Sequence, residues 1–190
     1  TNVAGTSAKA NTLEGIHIGA TNSNLTITEN VISGNTNNGI LVDNNVAGTN
    51  TISGNKIGFN ATAAATFKNG IHAIKFDGAT TNFTVSGNEI GGHTEDAIEV
   101  LNSQNVTFSG NFIGTNATGT TAFANTKNGI HLGAGSGDIT INNANVISGN
   151  GENGISIDVS LTGTNTITGN TIGLNLAKDV IKIQNNGFSA

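Results

Sequence analysis

The sequence predicts an all-β fold, a single-stranded parallel β-helix of about six to seven coils with three short strands each, and three observations carry that prediction. A Gly-Ile-x-apolar segment recurs along the chain, with Ile16, Ile40, Ile71, Ile98, Ile130, Ile155 and Ile181 aligned in one column. Two residues on, Ile18, Val42, Ala73, Val100, Leu132, Ile157 and Ile183 are all apolar. These segments open at residues 15, 39, 70, 97, 129, 154 and 180, a repeat of 24 to 32 residues that suits one turn of a solenoid. The composition excludes a helical protein: 27 glycines, abundant Asn and Thr, and no Pro, Cys, Met, Trp or Tyr.

Each coil then reads as three elements. The Gly-Ile segment is the first strand. The second is a period-two segment that places an apolar residue inward between two outward hydroxyl or amide groups: Thr26-Ile-Thr28, Thr51-Ile-Ser53, Thr84-Val-Ser86, Thr107-Phe-Ser109, Thr140-Ile-Asn142 and Thr166-Ile-Thr168. An Asn-x-Ile segment closes the coil, at Asn30, Asn55, Asn88, Asn111, Asn145 and Asn170. Gly54, Gly87, Gly110 and Gly169 precede four of these asparagines, where a corner needs positive φ. Strands stacked at about 4.8 Å bring equivalent residues into columns, so the asparagines can hydrogen-bond to their own kind. A second asparagine column is expected at Asn35, Asn60, Asn116, Asn150 and Asn175, interrupted by His93.

The extra length of the two long coils falls in loops at 61–69 and 117–128, each with a phenylalanine, Phe67 or Phe123, expected to fold back over the corner. Residues 1–15 match residues 115–129, so the chain is expected to open inside such a loop. The whole, residues 1–190, reads as one β-helix domain and as a segment of a longer array. Other copies of the chain, or flanking repeats, are then the expected partners at its open ends.

Several repeats share fuller motifs: Asn-Val-Ile-Ser-Gly-Asn at 30–35 and 145–150, and Gly-Asn-x-Ile-Gly-x-Asn-Ala-Thr at 54–62 and 110–118. With Asn-Gly-Ile-x-Ile they resemble the right-handed parallel β-helix repeats of large bacterial surface and secreted proteins, in the pectate-lyase-like superfamily. The resemblance covers essentially the whole chain. It implies right-handed coiling, an extracellular or cell-surface location, and one of two roles: polysaccharide chemistry or a non-catalytic adhesin stalk.

The catalytic patterns that the superfamily implies are not matched. Its lyases use an arginine base, and this chain has no arginine; its epimerases use a tyrosine, which is also absent. Gly92-His93-Thr94 departs from the Gly-His-Gly segment of the pectin hydrolases. Without Trp or Tyr the usual sugar-stacking platforms are missing. A net charge of −5 with seven lysines excludes a nucleic-acid surface, and no apolar run approaches the roughly 20 residues that span a bilayer. No cofactor is expected.

Two columns could carry function. The outward position of the first strand collects His17, Leu41, His72, Glu99, His131, Ser156 and Lys182, which would stack Glu99 between His72 and His131. That trio reads either as a metal or acid/base site or, the preferred reading, as a surface ladder of weakly interacting charges. Asp77, Glu95, Asp96 and Asp138 are read as turn residues. The column Thr26, Thr51, Thr84, Thr107, Thr140 and Thr166 forms a flat hydroxyl array that would suit ice binding, although exposed β-branched residues need no ligand to explain them. The sequence therefore favours a non-catalytic structural or adhesive segment, a stalk or an end-to-end stacking filament subunit. A carbohydrate-active or carbohydrate-binding module is the alternative and an ice-binding face the second.

Overall fold

Short apolar-alternating segments separated by Gly- and Asn-rich corners can satisfy their backbone only by pairing with the next coil, and they do. The computed structural model describes residues 7, 9–158 and 161–173. Their eighteen strands form three six-stranded sheets in which each strand pairs, parallel, with its equivalents one coil away. The first sheet comprises Ile16–Ile18, Ile40–Asp43, Ile74–Asp77, Ile98–Leu101, Ile130–Leu132 and Ile155–Ile157. The second runs from Thr26–Thr28 to Thr166–Ile167 and the third from Val31–Ile32 to Thr171–Ile172. The protein is a right-handed parallel β-helix. The expected seventh first-sheet segment, with Ile181, Lys182 and Ile183, lies outside the described residues.

Inward residues make one continuous core column by column. Ile40, Ile74, Ile98 and Ile130 stack with no exposure, as do Ile52, Val85, Phe108 and Ile141 on the second sheet. Each such side chain contributes roughly 1.5–3 kcal/mol of burial.

The third coil corrects the expected register. Ile71 is not in the isoleucine column; Ile74 pairs with both Ile40 and Ile98, and Phe76, not Ala73, sits between Val42 and Val100. The reason is apolar burial. A three-residue slide encloses Ile74 and Phe76 completely and sets the Phe76 ring edge-on to Phe83 at 5.0 Å. Column-to-column separations then become 24, 34, 24, 32 and 25 residues, an alternation cleaner than the one counted from Gly-Ile pairs.

The asparagine at the third-sheet corner forms an unbroken hydrogen-bonded column. Nδ2 of Asn30, Asn55, Asn88, Asn111 and Asn145 donates to Oδ1 of the next asparagine at 2.8–3.0 Å, ending on Asn170. In the buried coils the same Nδ2 also donates back to a carbonyl, as Asn111 does to Val85 O at 2.9 Å. The preceding Gly54, Gly87, Gly110 and Gly169 have φ of 61–68°, as the corner requires. The second column differs from expectation. It runs through Asn11, Asn35, Asn69, His93, Asn125 and Asn150. Asn60 and Asn116 instead cap the tips of the two inserted loops, each Oδ1 accepting two backbone N–H groups. Asn175 lies outside the described residues.

The insertions are also shorter than the sequence suggested. They fold as hairpin-like excursions closed by antiparallel bridges at Phe59–Thr66 and Thr115–Ala122, and Asn69, Asn125 and Asn128 are already buried in the solenoid. Phe123 packs edge-on against Phe59 at 5.1 Å, the hydrophobic cover expected of the loop phenylalanines.

Two outcomes follow from these columns. Asn111→Ala strips partners from the Asn88 backbone N–H, the Asn88 side chain and the Val85 carbonyl, and chemical denaturation should show a loss of about 3 kcal/mol or more. His93 occupies an asparagine place wholly inside the protein; burial pushes its pKa down from 6.5 to about 4, against opposing bonds to the Ile57 and Asn69 backbone. Since the unfolded chain takes up this proton first, stability falls as pH drops from about 6.5 towards 4, by up to about 3 kcal/mol. Melts from pH 7.5 to 4 should lose that part of their slope in His93→Asn, which restores the column residue.

Candidate functional site

A third column passes along the corner just before the first sheet: Glu14, Asn38, His72, Asp96, Asn128 and Asn153. Asparagine is the structural residue here, since Asn153 donates to Asn128 Oδ1 at 2.9 Å through its side chain, and Asn128 donates to Asp96 Oδ1 at 2.7 Å. In the two central coils the repeat Asn-Gly-Ile is replaced by His72-Ala73-Ile74 and Asp96-Ala97-Ile98. Both replacements stay buried, with side chains only 8% and 6% exposed.

Asp96 does two things. Its Oδ1 reproduces the structural bond of the asparagine it replaces, accepting the Asn128 backbone N–H at 2.9 Å as well as the side chain. Its Oδ2 is turned to the groove, 3.6 Å from His131 Nδ1 and 4.0 Å from His72 Nδ1. The turn role expected of Asp96 therefore holds for one oxygen only. Asp138 keeps such a role, accepting the Thr164 N–H at 2.8 Å, and Glu95 pairs with Lys127.

His72 is held at both ends. Its backbone N–H donates to Asn38 Oδ1, and its Nδ1 lies 3.2 Å from the Asp96 carbonyl oxygen. A carbonyl only accepts, so this bond puts the ring proton on Nδ1 and leaves the Nε2 lone pair facing Glu99 Oε2 at 3.4 Å. Burial holds the His72 pKa below its ordinary value, against the pull of the Glu99 and Asp96 charges, so the ring is neutral. A lone pair and a carboxylate oxygen thus face each other with no proton between them.

The register shift changes the neighbours expected for Glu99. The residue stacked beside it in the third coil is Lys75, not His72; His131 is its neighbour on the other side, as expected. His72 nevertheless reaches Glu99 from the corner column, so His72, Glu99 and His131 do converge. Lys75 Nζ lies 3.0 Å from Glu99 Oε2 and 3.3 Å from Asp77 Oδ2. Burial opposes the Lys75 charge, but these two pairs outweigh it and hold its pKa above the ordinary value. His131 places Nδ1 3.7 Å from Glu99 Oε1 and Nε2 2.8 Å from Asp158 Oδ2. His72, Lys75, Asp96, Glu99, His131 and Asp158 line an open groove of about 560 Å³.

Donor atoms of His72, Asp96 and Glu99 all lie within 4.8 Å of one another. A nitrogen and two carboxylates at this spacing form a ligand set for a borderline divalent ion, with His131 at the rim. His17 stands apart, paired at 2.8 Å with Asp43. The threonine column forms throughout: Thr26, Thr51, Thr84, Thr107, Thr140 and Thr166 are successive neighbours. It lies on the second sheet, whereas Lys75, Glu99 and His131 belong to the first, and its companion row mixes Thr28, Ser53, Ser86, Ser109 and Asn142.

Fold and groove define the class: a parallel β-helix protein with a histidine–carboxylate cluster where a corner meets its first sheet. Residues 1–132 match the family described as periplasmic copper-binding protein (NosD), and the chain belongs to that family. Solved structures of the periplasmic alginate epimerase AlgG share the fold: the unsubstituted protein superposes with a TM-score of 0.68 at 20% identity, covering 84% of this chain. A single-substitution variant of it gives 0.67 at 19% identity over 83%. The chain spans 36% of the length of these proteins. Comparison with curated protein sequences gave no significant match.

Because Oδ1 of Asp96 does the structural work, Asp96→Asn should fold with stability within about 1 kcal/mol of the parent, whereas Asp96→Ala should lose about 1–3 kcal/mol through the orphaned Asn128 donors. Paired denaturation curves test this.

Proposed function

We propose that this chain is a non-catalytic periplasmic β-helix segment that binds one divalent transition-metal ion between His72, Asp96 and Glu99. The observation that carries the reading is the His72 Nε2 lone pair set 3.4 Å from Glu99 Oε2, in a trio with Asp96 whose ligand atoms lie within 4.8 Å of one another, an arrangement that a cation between them would relieve. The Asp96 carbonyl on His72 Nδ1 is the outer partner that metal-bound histidines need, which the sequence alone did not reveal.

The donor set decides which ions fit. The chain has no cysteine or methionine, so the sulfur ligands that select copper(I) are absent. One imidazole and two carboxylates suit copper(II) or zinc(II), which agrees with the copper-binding description of the family. A periplasmic location agrees with the descriptions of both the family and the AlgG structures. In this setting the ion would be stored, carried or used as a structural clip between two coils. Flanking repeats or further copies that continue the columns fit the same non-catalytic role.

Calorimetric titration with zinc(II), and electron paramagnetic resonance with copper(II), test the proposal. One equivalent should bind, with nitrogen coupling in the copper spectrum. His72→Asn, which restores the column residue, should weaken binding by more than the roughly 10–100-fold that losing an outer hydrogen-bonding partner costs. Absence of stoichiometric binding, or unchanged binding in His72→Asn, would sink the reading.

A further inference from the structure

We propose that Lys75 is a built-in competitor for the metal: its ammonium occupies the Glu99 oxygen that the ion must take, and moves to Asp77 when the ion enters. This rests on the metal-site reading above and assigns the residue that sets the site's threshold.

The solenoid places this lysine by register. Lys75 is the direct neighbour of Glu99 on the first sheet, so both side chains leave the same face one coil apart. The ammonium lies 3.0 Å from Glu99 Oε2, and that is the oxygen 3.4 Å from His72 Nε2. One carboxylate oxygen is therefore shared between an internal cation and the histidine lone pair. An incoming ion cannot use that oxygen with the histidine while the ammonium holds it.

The structure also supplies somewhere for the ammonium to go. Asp77 lies two residues further along the same strand, on the same face, with Oδ2 3.3 Å from Lys75 Nζ. Its side chain is 43% exposed, against 14% for Glu99, and it is not part of the ligand trio. Moving from Glu99 to Asp77 alone needs only rotation within a long flexible stem, with no change in the backbone. Charge favours the exchange. With the ammonium in place, Asp96 and Glu99 are half neutralised; a divalent ion neutralises both and leaves Lys75 paired with Asp77. The lysine thereby keeps two buried-side carboxylates tolerable in the metal-free protein, which would otherwise suffer like-charge repulsion within one coil. It does so at the expense of affinity.

The test is a set of zinc(II) titrations against a chromophoric chelator, using the whole chain, with thermal melts to confirm folding. Lys75→Met should bind about tenfold more tightly than the parent, and Lys75→Arg, which keeps the cation, should stay near the parent. Asp77→Asn should weaken binding severalfold in the parent, where the ammonium loses its second seat, and should have no effect when combined with Lys75→Met. If Lys75→Met fails to fold, Lys75→Gln takes its place with the same expectation. Equal or weaker affinity without the lysine overturns this assignment while leaving the metal site standing, as does an Asp77→Asn effect that persists in the double variant. If neither the parent nor Lys75→Met binds zinc(II) or copper(II), the site and the assignment fall together.

Discussion

The constraint on which this protein depends is in-register stacking. Each described strand pairs with its own equivalent one coil away, so a strand side chain of an inner coil meets the corresponding residues at about 4.8 Å above and below. Few side chains can live beside copies of themselves in a dry corner. Isoleucine can, because its neighbour is apolar. Asparagine can, because one amide carries both donor and acceptor, so each residue accepts from one neighbour and donates to the other. The Asn30-to-Asn170 column satisfies main chain and side chain together, which explains why a chain so rich in amides can bury them.

The same rule shows how chemistry can be added without redesigning the fold. Contacts are local to neighbouring coils, so a change at one column position disturbs little beyond the coils on either side. His72 and Asp96 are such changes. Each takes an asparagine's place, one keeping a backbone bond to Asn38 and the other keeping the acceptor that Asn128 requires. What remains of each side chain is turned to a groove where Glu99, Lys75 and His131 stand in adjacent coils. His93 is a change of a different kind: wholly buried, held neutral, and placed between Asn69 and Asn125 in the second column.

Much of this was legible in the sequence, and the failures have a common physical cause. The second-sheet column of threonines reads directly, because alternation of period two leaves one possible register for Thr-Ile-Ser or Thr-Val-Ser. The third-sheet asparagines read equally well, since Gly-Asn fixes a corner. The third coil misled because Gly70-Ile71 imitates the start of a first strand, while tertiary burial selects Ile74 and Phe76 three residues later. The alternation of coil lengths held the missing signal: only the Ile74 register returns to 24 residues. That error concealed the site. Once His72-Ala73-Ile74 and Asp96-Ala97-Ile98 are aligned with Asn38-Gly39-Ile40, two ionisable residues stand in adjacent coils of a column that Asn38, Asn128 and Asn153 otherwise share with Glu14. The convergence of His72 with Glu99 was expected for a different reason, as strand neighbours, and is in fact a corner-to-strand contact. Asn60 and Asn116 misled likewise, because their spacing from the corner fits a column while their amides are committed to capping hairpin tips.

Membership of a family described as copper-binding and a fold shared with AlgG fit a scaffold whose columns tolerate local substitution. The central claim is that two such substitutions create a cation site. Anomalous diffraction from crystals soaked in zinc(II) or copper(II), recorded on either side of the metal edge, tests it most directly. The account predicts a single dominant peak at about 2.0–2.2 Å from His72 Nε2 and from oxygens of Asp96 and Glu99. No peak there, or a dominant peak at the exposed His17–Asp43 pair instead, would contradict it.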